Sequence, residues 1–223
     1  MFHVEHEQEE LLRSHLAWVL DTNKTHNLTA ITDEEDAWRL HVIDSLAIIP
    51  EVEAAPPGPL LDIGSGGGFP GVPLGIVSGR ETVCLDSIKK KADGLVAFMR
   101  SDWRMLHLCA DGKRAEELAL ELPEYFAVAV ARAVAPLASL VELASPLLMR
   151  GGVCLCMKAQ LADAEIDAGD VAAAICGMAR QQIRNYTLGD GQESRCVVEY
   201  KKVAEPTIPL PRRVGVAQKR PLR

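Results

Sequence analysis

The residues best suited to chemistry form a glycine-rich stretch that follows Asp62. Leu60–Gly75 reads LLDIGSGGGFPGVPLG, so two apolar residues lead into Asp62 and a run of glycines comes after it. This order predicts a buried strand, a tight loop and the start of a helix. Glycine has no Cβ and tolerates positive φ, so the N–H groups of such a loop can approach a bound molecule closely. The helix N-terminus behind the loop adds unpaired donors, and we expect a cofactor there.

Two kinds of cofactor suit this loop. Gly66–Gly71 matches G-x-G-x-x-G, and Asp86 stands 20 residues after Gly66, as in a dinucleotide site. A loop for S-adenosylmethionine (SAM) has the same order of strand, acidic residue, G-x-G and helix. In that case, too, an acidic residue that ends the next strand binds the ribose hydroxyls. The loop alone leaves both cofactors open, beside a plain glycine turn without a ligand.

Predicted strands and helices alternate along the rest of the chain. The strands after the loop are Thr82–Asp86, Trp103–Cys109, Tyr125–Ala131, Val153–Met157, Gln182–Leu188 and Cys196–Val203. The helices between them are Lys89–Met99, a turn and helix within Asp111–Leu122, Pro136–Met149 and residues 161–179. This alternation predicts an α/β fold with a doubly wound parallel sheet, and the short turn Gly189-Asp190-Gly191 predicts an antiparallel hairpin at one edge. Seven strands in this arrangement are typical of Rossmann-like class I SAM-dependent methyltransferases, which favours SAM.

The N-terminal part is predicted to be helical. Apolar spacing indicates a helix over residues 7–22, and Thr32 with Glu35 can form the capping box of a second helix, Asp33–Ile49. His41 and Asp44 lie one turn apart on that second helix. They contact a substrate, support the glycine loop, or belong to an ordinary helix pair in which His41 is hydrogen-bonded in place. We therefore divide the chain into an N-terminal helical extension (residues 1–56), a methyltransferase domain (57–205) and an extended basic tail packed on or near it (206–223).

Composition restricts the class of protein. The 223 residues carry a net charge of −7, with −9 in residues 1–56 and +6 in residues 195–223. An acidic average argues against tight nonspecific binding to nucleic acid, and we expect no DNA partner, whereas a basic tail permits local phosphate contact. The six cysteines form no C-x-x-C pair, so we expect reduced core thiols and no metal site. An acidic N-terminus and the lack of a long apolar run predict a cytoplasmic protein without a membrane segment.

Several segments, taken together and in order, resemble one family across nearly the whole chain. They are Asn27-Leu28-Thr29, His41–Leu46, Asp62–Leu74, Lys89-Lys90-Lys91, Arg114-Ala115-Glu116, Ala131–Val134, Gly151-Gly152, Met157-Lys158 and the tail from Pro211-Arg212-Arg213 to Pro221-Leu222. The chain is similar to the RsmG (GidB) family of 16S ribosomal RNA guanine-N7 methyltransferases. Its G-S-G-x-G-F-P-G-x-P-L stretch is far more specific than a lone G-x-G.

The resemblance assigns roles to particular residues. The SAM-binding set that it implies is Gly64, Ser65, Gly66, Phe69, Asp86, Ala115, Glu116 and Arg132. Asp86 would accept hydrogen bonds from the ribose hydroxyls, because a carboxylate suits a vicinal diol. RNA contacts are expected from Lys89, Lys90, Lys158, Arg212 and Arg213.

The implied substrate is a guanine in a 16S ribosomal RNA loop near the decoding site, within the small subunit or an assembly intermediate, and the implied enzyme is a monomer. Guanine N7 has a lone pair and no proton to lose, so alignment and electrostatic support suffice without a general base. Ala131–Pro136 lacks the [DNS]-P-P-[YFW] motif of amino-group methyltransferases, and no cysteine follows a proline as in cytosine-C5 enzymes. We therefore predict no catalytic acid, base or nucleophile.

Other functions remain open at this point. A small-molecule SAM-dependent methyltransferase suits the acidic average and the lack of a separate RNA-binding domain. A dinucleotide-binding oxidoreductase or redox sensor suits the loop alone, and binding of NAD instead of SAM would identify it. A SAM-binding module that docks on ribosomes without catalysis would bind SAM and transfer nothing.

Overall fold

A computed structural model describes residues 4–189 and 193–223, and within these residues seven strands form one sheet. The strands are β1 (Leu60–Ile63), β2 (Thr82–Leu85), β3 (Leu108–Asp111), β4 (Phe126–Arg132), β5 (Leu148–Lys158), β6 (Met178–Leu188) and β7 (Glu193–Lys202). Their spatial order is β3-β2-β1-β4-β5-β7-β6, with β1 to β5 parallel and β7 antiparallel to both of its neighbours. The predicted α/β fold, with its parallel sheet and antiparallel edge hairpin, is confirmed.

Helices cover both faces of the sheet. They are α1 (His6–His26), α2 (Glu34–Ala37), α3 (Asp44–Leu46), α4 (Ile49–Ala54), α5 (Gly71–Ser78), α6 (Lys89–Met99), α7 (Ala115–Glu121), α8 (Leu137–Ala144), α9 (Asp163–Ile175) and α10 (Val216–Lys219). One apolar core includes residues of α1, α4, α5 and α6, and the other includes residues of α7, α8 and α9. Residues 126–131 of β4 are buried throughout, as expected for a central parallel strand that is covered on both sides.

The predicted third strand, Trp103–Cys109, is wrong at its start. Asp102 caps a short 3₁₀ helix, Trp103–Met105, by accepting a hydrogen bond from the Arg104 N–H at 2.9 Å. Trp103 is 79% exposed and Leu106 75% exposed, so their apolar character does not reflect burial in a strand. The strand begins only at Leu108. An N-cap preference competed with a β pattern here, and the cap determined the local structure.

The predicted second helix also differs in detail. Its N-cap is Asp33, whose side chain accepts from the Asp36 N–H, and not Thr32. The helical backbone then widens into a π-helical segment, Trp38–Ile43, before α3. His41 lies in this wide turn, and π turns inside helices are frequent at functional sites.

The remaining differences concern β5 and the tail. Gly151 and Gly152 lie inside β5, where the register with β4 shifts, and not in a turn before the strand. A Cβ on Gly152 would lie 2.9 Å from the Met149 carbonyl oxygen, so the irregular strand requires a glycine there. The predicted extended tail contains α10. Asp190 and Gly191 of the predicted hairpin turn lie outside the described residues.

Two further observations concern the chain as a whole. All six cysteines are free, and five of them are buried, as expected for core thiols; Cys109 is exposed. Within the described residues, no helix combines the length and the apolar character needed to cross a bilayer.

Asp62 is a buried acidic residue in the middle of this fold. Its Oδ2 accepts a hydrogen bond from the Gly71 N–H at 2.7 Å and so fixes the start of α5, while Oδ1 has no partner among the described residues. Burial raises the pKa of Asp62 to about 7. The hydrogen bond from Gly71 lowers the pKa, but its effect is smaller. The folded protein therefore holds a proton on Asp62 over a pH range in which the unfolded chain has released it.

We expect Asp62→Asn to change the pH dependence of stability. Because the folded pKa is raised above the unfolded value, the stability that Asp62 contributes is complete below about pH 4 and is lost as the pH rises to about 7. Relative to wild type, the variant should therefore gain free energy of unfolding between these values, on the order of a few kcal/mol. Urea unfolding at pH 5, 6, 7 and 8 measures this. A constant difference between the two proteins would contradict the prediction.

Candidate active site

The glycine loop lies at the carboxyl edge of the sheet, between β1 and α5. The N–H groups of Gly64 and Ser65 donate to the Leu85 carbonyl oxygen at 2.8 and 3.0 Å, which ties the loop to the end of β2. Gly66 has φ +55°, and a Cβ added to it would meet nothing within 4 Å. At this point the loop therefore presents open backbone to the space above the sheet, as a cofactor-binding loop must.

Asp86 holds the same loop from the next strand. Its Oδ2 accepts from the Gly66 N–H at 2.9 Å, and its Oδ1 accepts from the Ile88 N–H at 2.8 Å. A carboxylate has about four acceptor positions, so both oxygens keep a free lone pair for a ligand. The predicted ribose acceptor thus also orders the glycine loop, a role that the sequence did not indicate.

A cleft of about 560 Å³ opens beside the loop, at the topological switch point between β1 and β4. Its lining combines the loop with the N-terminal helices and the ends of β4, β5 and β7. The lining residues used below are Thr29, His41, Asp44, Gly64, Ser65, Gly66, Phe69, Arg132, Lys158 and Arg195. Five of the eight residues predicted for the cofactor, Arg132 among them, therefore line one cavity, and His41 and Asp44 line it too.

Asp44 is the acceptor at the centre of a polar network on the cleft wall. It is 3% exposed and accepts hydrogen bonds from Arg132 Nη1 and from the Tyr186 hydroxyl, each at 3.0 Å. The Arg195 Nε lies 3.9 Å from the same carboxylate. Burial, and then the Asp44 charge, raise the pKa of Tyr186, so its hydroxyl stays protonated as a donor. Arg132 also donates to the Leu40 carbonyl oxygen at 3.0 Å.

His41 and Phe69 form an aromatic layer below this network. The His41 ring stacks on Phe69 with 4.8 Å between centroids, and the Arg132 guanidinium lies 5.7 Å from the same ring. Burial, and then the Arg132 charge, lower the pKa of His41 to about 4, so the imidazole is neutral near pH 7. Phe69 is buried between His41 and His15 while it also lines the cleft, so it combines a core position with access to a ligand.

Ala115 and Glu116 line a second, smaller cavity of about 60 Å³ on the other side of Gly64. A Glu116 oxygen accepts from the Gly215 N–H of the tail at 2.7 Å, and Gln218 of α10 lines the same cavity. The Ser139 hydroxyl donates to the Ala217 carbonyl oxygen at 2.8 Å, which fixes α10 on α8. The tail therefore contributes to the wall of a cavity lined by two residues, Ala115 and Glu116, that the family resemblance assigns to SAM binding.

The predicted RNA-binding residues fall into two groups. Lys89, Lys90 and Arg213 are exposed, and no salt bridge of theirs is found among the described residues. Lys158 is paired with Glu165 at 2.7 Å and donates to the Ala135 carbonyl oxygen. Arg212 forms a two-point contact with Glu142, which is 3% exposed. The charge of Arg212 is thus used inside the fold.

Sequence reasoning missed three residues at the site, namely Tyr186, Arg195 and Gln218. Tyr186 donates to Asp44 without lining either of the two cavities, whereas Arg195 lines the cleft and Gln218 lines the smaller cavity. The first two lie on the hairpin, and β5 pairs with β7 so that Lys158 stands opposite Cys196. A strand that returns antiparallel to β5 starts at the carboxyl edge of the sheet, so charges near its start were the available signal. No such signal existed for Gln218, because the path of the tail is set by long-range contacts with α7 and α8 that the local sequence does not indicate.

With this geometry in place, known proteins identify the family. Residues 8–194 match the family described as GidB, rRNA small subunit methyltransferase G. The chain belongs to this family. It is 34% identical to ribosomal RNA small subunit methyltransferase G of Carboxydothermus hydrogenoformans over 222 residues, covering 98% of this chain and 94% of that protein. The counterpart from Pelotomaculum thermopropionicum is 37% identical over 210 residues, covering 92% and 86%.

Solved structures agree on the fold of this methyltransferase G family member. The YcgJ protein of Bacillus subtilis superposes with a TM-score of 0.54 at 12% identity, covering 73% of this chain and 99% of that one. The antibiotic-resistance methyltransferase Kmr gives 0.50 at 15% identity, covering 70% and 93%. At these identities the likeness shows the shared fold alone.

We expect the two neighbouring arginines of the tail to differ in what their removal does. Arg212→Ala leaves the buried Glu142 carboxylate unpaired, which should lower the free energy of unfolding by about 3 kcal/mol. Arg213→Ala removes an exposed side chain and should change it by no more than about 0.5 kcal/mol. Urea unfolding of both variants measures this. Equal losses, or none in Arg212→Ala, would show that the ion pair does not stabilise the tail.

Proposed function

We propose that this protein uses SAM to methylate N7 of a guanine in 16S ribosomal RNA, in a loop near the decoding site. Membership of the methyltransferase G family supports RNA as the substrate class. The observation that carries the proposal is a cleft in which a glycine loop and an arginine–aspartate network face the same space. A donor held by the loop and a base held by the network would meet there.

The residues present fit SAM. Gly66 leaves open space above the loop, and Asp86 keeps free acceptor positions for the ribose hydroxyls. Ala115 and Glu116 line a recess of about 60 Å³, against which one edge of the adenine would lie. Gly64 cannot carry a side chain, because a Cβ would lie 2.5 Å from Val134 Cγ2. When bound, SAM supplies an electrophilic methyl group on a cationic sulfur. This chain contributes the binding of SAM and its orientation toward the cleft.

The side chains of the cleft suit a reaction without a general base. The His41 Nδ1 faces Arg132 Nη2 at 3.3 Å, and Asp44 accepts from both Arg132 and Tyr186. Neither group is free to remove a proton from a substrate. Guanine N7 needs no such step, so the chain would act by fixing the base and by excluding water from the cleft.

Cations at the carboxyl edge suit contact with RNA phosphates. Lys89 and Lys90 occupy the first turn of α6, where their charge opposes the helix dipole. A bound anion would offset this unfavourable interaction of the lysine charges with the helix dipole. In RNA that anion is phosphate. We propose that Lys89, Lys90, Lys158 and Arg213 contact RNA, that Arg212 supports the tail beside them, and that the enzyme acts as a cytoplasmic monomer.

The first test is methyl transfer from labelled SAM to small ribosomal subunits from cells that lack this enzyme. We expect label at a single guanine, detected by chain cleavage at N7-methylguanine. Because His41 is neutral well above its pKa of about 4, the turnover rate should stay constant within about 2-fold from pH 6 to 8. A steep rise with pH would indicate a general base and contradict the mechanism.

Other outcomes of the same experiment decide between functions. SAM binding without transfer to subunits or to naked RNA would favour a small-molecule acceptor or a non-catalytic module. Failure to bind SAM would overturn the interpretation of the glycine loop. Equal transfer to protein-free RNA would show that ribosomal proteins are not needed to shape the target.

We expect Asp86→Asn to weaken SAM binding by about 10-fold to 100-fold, because an amide loses charge-assisted acceptance from the ribose hydroxyls. Isothermal titration calorimetry with SAM measures the Kd without any RNA. Asp93→Asn is the matched control. Like Asp86, Asp93 is an aspartate outside the lining of both cavities, but it is exposed on α6 and has no hydrogen bond to the glycine loop among the described residues. If Asp86→Asn and Asp93→Asn bind SAM equally, Asp86 is not the ribose acceptor.

A further inference from the structure

Thr29 is held rigidly on the wall of the cleft by its own loop. It follows α1, whose C-cap Asn27 has φ +48°, and its N–H donates to the Asn23 side-chain oxygen at 2.9 Å. Its hydroxyl oxygen accepts a hydrogen bond from the Ile31 backbone N–H at 3.0 Å and lies 2.7 Å from His41 Nε2. Backbone and side chain are therefore both fixed, which places the hydroxyl at a defined point beside a ligand.

The protonation of His41 decides how this hydroxyl is used. Arg132 Nη2 can only donate, so His41 Nδ1 must accept from it at 3.3 Å. The neutral ring then carries its hydrogen on Nε2 and donates it to Thr29. A second hydrogen bond reaches the same oxygen from the Ile31 N–H. Both acceptor positions of the Thr29 hydroxyl are thus occupied by donors.

The hydroxyl hydrogen of Thr29 remains available. Among residues 4–189 and 193–223, no group accepts a hydrogen bond from it. Because both lone pairs are taken, the hydroxyl cannot rotate to accept from a ligand and can only donate. On the cleft wall, the Thr29 hydroxyl can therefore donate a hydrogen bond to a ligand and cannot accept one.

The neighbouring groups leave few acceptors in the cleft. Asp44 accepts from Arg132 and Tyr186 and is only 3% exposed, so little of its carboxylate is open to a ligand. Arg195 and Lys158 add further donors. Such a wall suits a ligand edge that carries acceptors. The edge of guanine that contains N7 carries the keto oxygen O6 beside it, and adenine carries an amino group at that place.

We propose that Thr29 determines base specificity by donating its hydroxyl hydrogen to O6 of the target guanine, an inference that rests on the proposed function. This bond positions the base through O6, which lies on the same edge of guanine as N7, and it leaves the N7 lone pair free for the methyl group. An adenine amino group would meet a donor that cannot become an acceptor. The site therefore rejects adenine by leaving two donors face to face.

The test compares Thr29→Val, which removes the hydroxyl, with Thr29→Ser, which keeps it. Thr25→Val is the control, since Thr25 is exposed on α1 outside the cleft. On small subunits, Thr29→Val should lower kcat/KM for RNA by about 10-fold to 100-fold, while Thr29→Ser and Thr25→Val stay within about 3-fold of wild type. The Kd for SAM should not change in any variant, because SAM is held by other residues.

A second substrate separates recognition of O6 from a structural role of Thr29. Subunits reconstituted with 2-aminopurine at the methylated position keep N7 and lack O6. Wild type should lose about 10-fold to 100-fold on this substrate, whereas Thr29→Val should lose no more than about 2-fold beyond its own deficit. Fully additive losses, or activity of Thr29→Val equal to that of Thr25→Val, would overturn the role of Thr29 alone. Absence of transfer by wild type to guanine would overturn the proposed function and this inference together.

Discussion

The buried carboxylate of Asp44 holds the functional half of the molecule together. It comes from the N-terminal helical part, and its donors are Arg132 at the end of β4 and Tyr186 on β6, with Arg195 of β7 close by. Breaking a buried pair of this kind by removing one partner typically costs about 3–5 kcal/mol, because the other charge stays buried without compensation. The cleft therefore exists only when the N-terminal helices, the parallel strands and the edge hairpin are assembled at the same time.

The glycine loop depends on the same N-terminal region. His15 of α1 donates from Nε2 to the Gly67 carbonyl oxygen at 2.8 Å, and burial lowers the pKa of this histidine to about 4. Leu12 and Val19 of α1 are fully buried in the core that also contains α5 and α6. A helix that sequence reasoning treats as an extension thus packs directly beneath the loop. The glycine loop and the Asp44 network thus both rest on the same packed N-terminal helices, with no hinge between them in the described contacts.

How far the sequence could predict this structure depends on the range of the forces involved. The strand, loop and helix around Asp62 follow from local apolar pattern and glycine conformation, and they agree with the structure. The strand predicted from Trp103 onward does not agree with the structure at its start, because a single capping residue, Asp102, outweighed a short apolar pattern. Contacts such as Gly215 with Glu116, 99 residues apart, leave no local signal at all. The glycine loop was therefore predictable in outline, and the cavity walls contributed by the hairpin and the tail were not.

Net charge is a poor guide to the electrostatics of this cleft. The chain carries −7 overall, yet the residues that line the cleft include Arg132, Lys158 and Arg195 against the single carboxylate of Asp44. A locally cationic edge on an acidic protein limits nonspecific attraction to nucleic acid while it retains affinity for phosphates presented in the right shape. Under the proposed function, recognition would then depend on the shape of a structured RNA as well as on its target base.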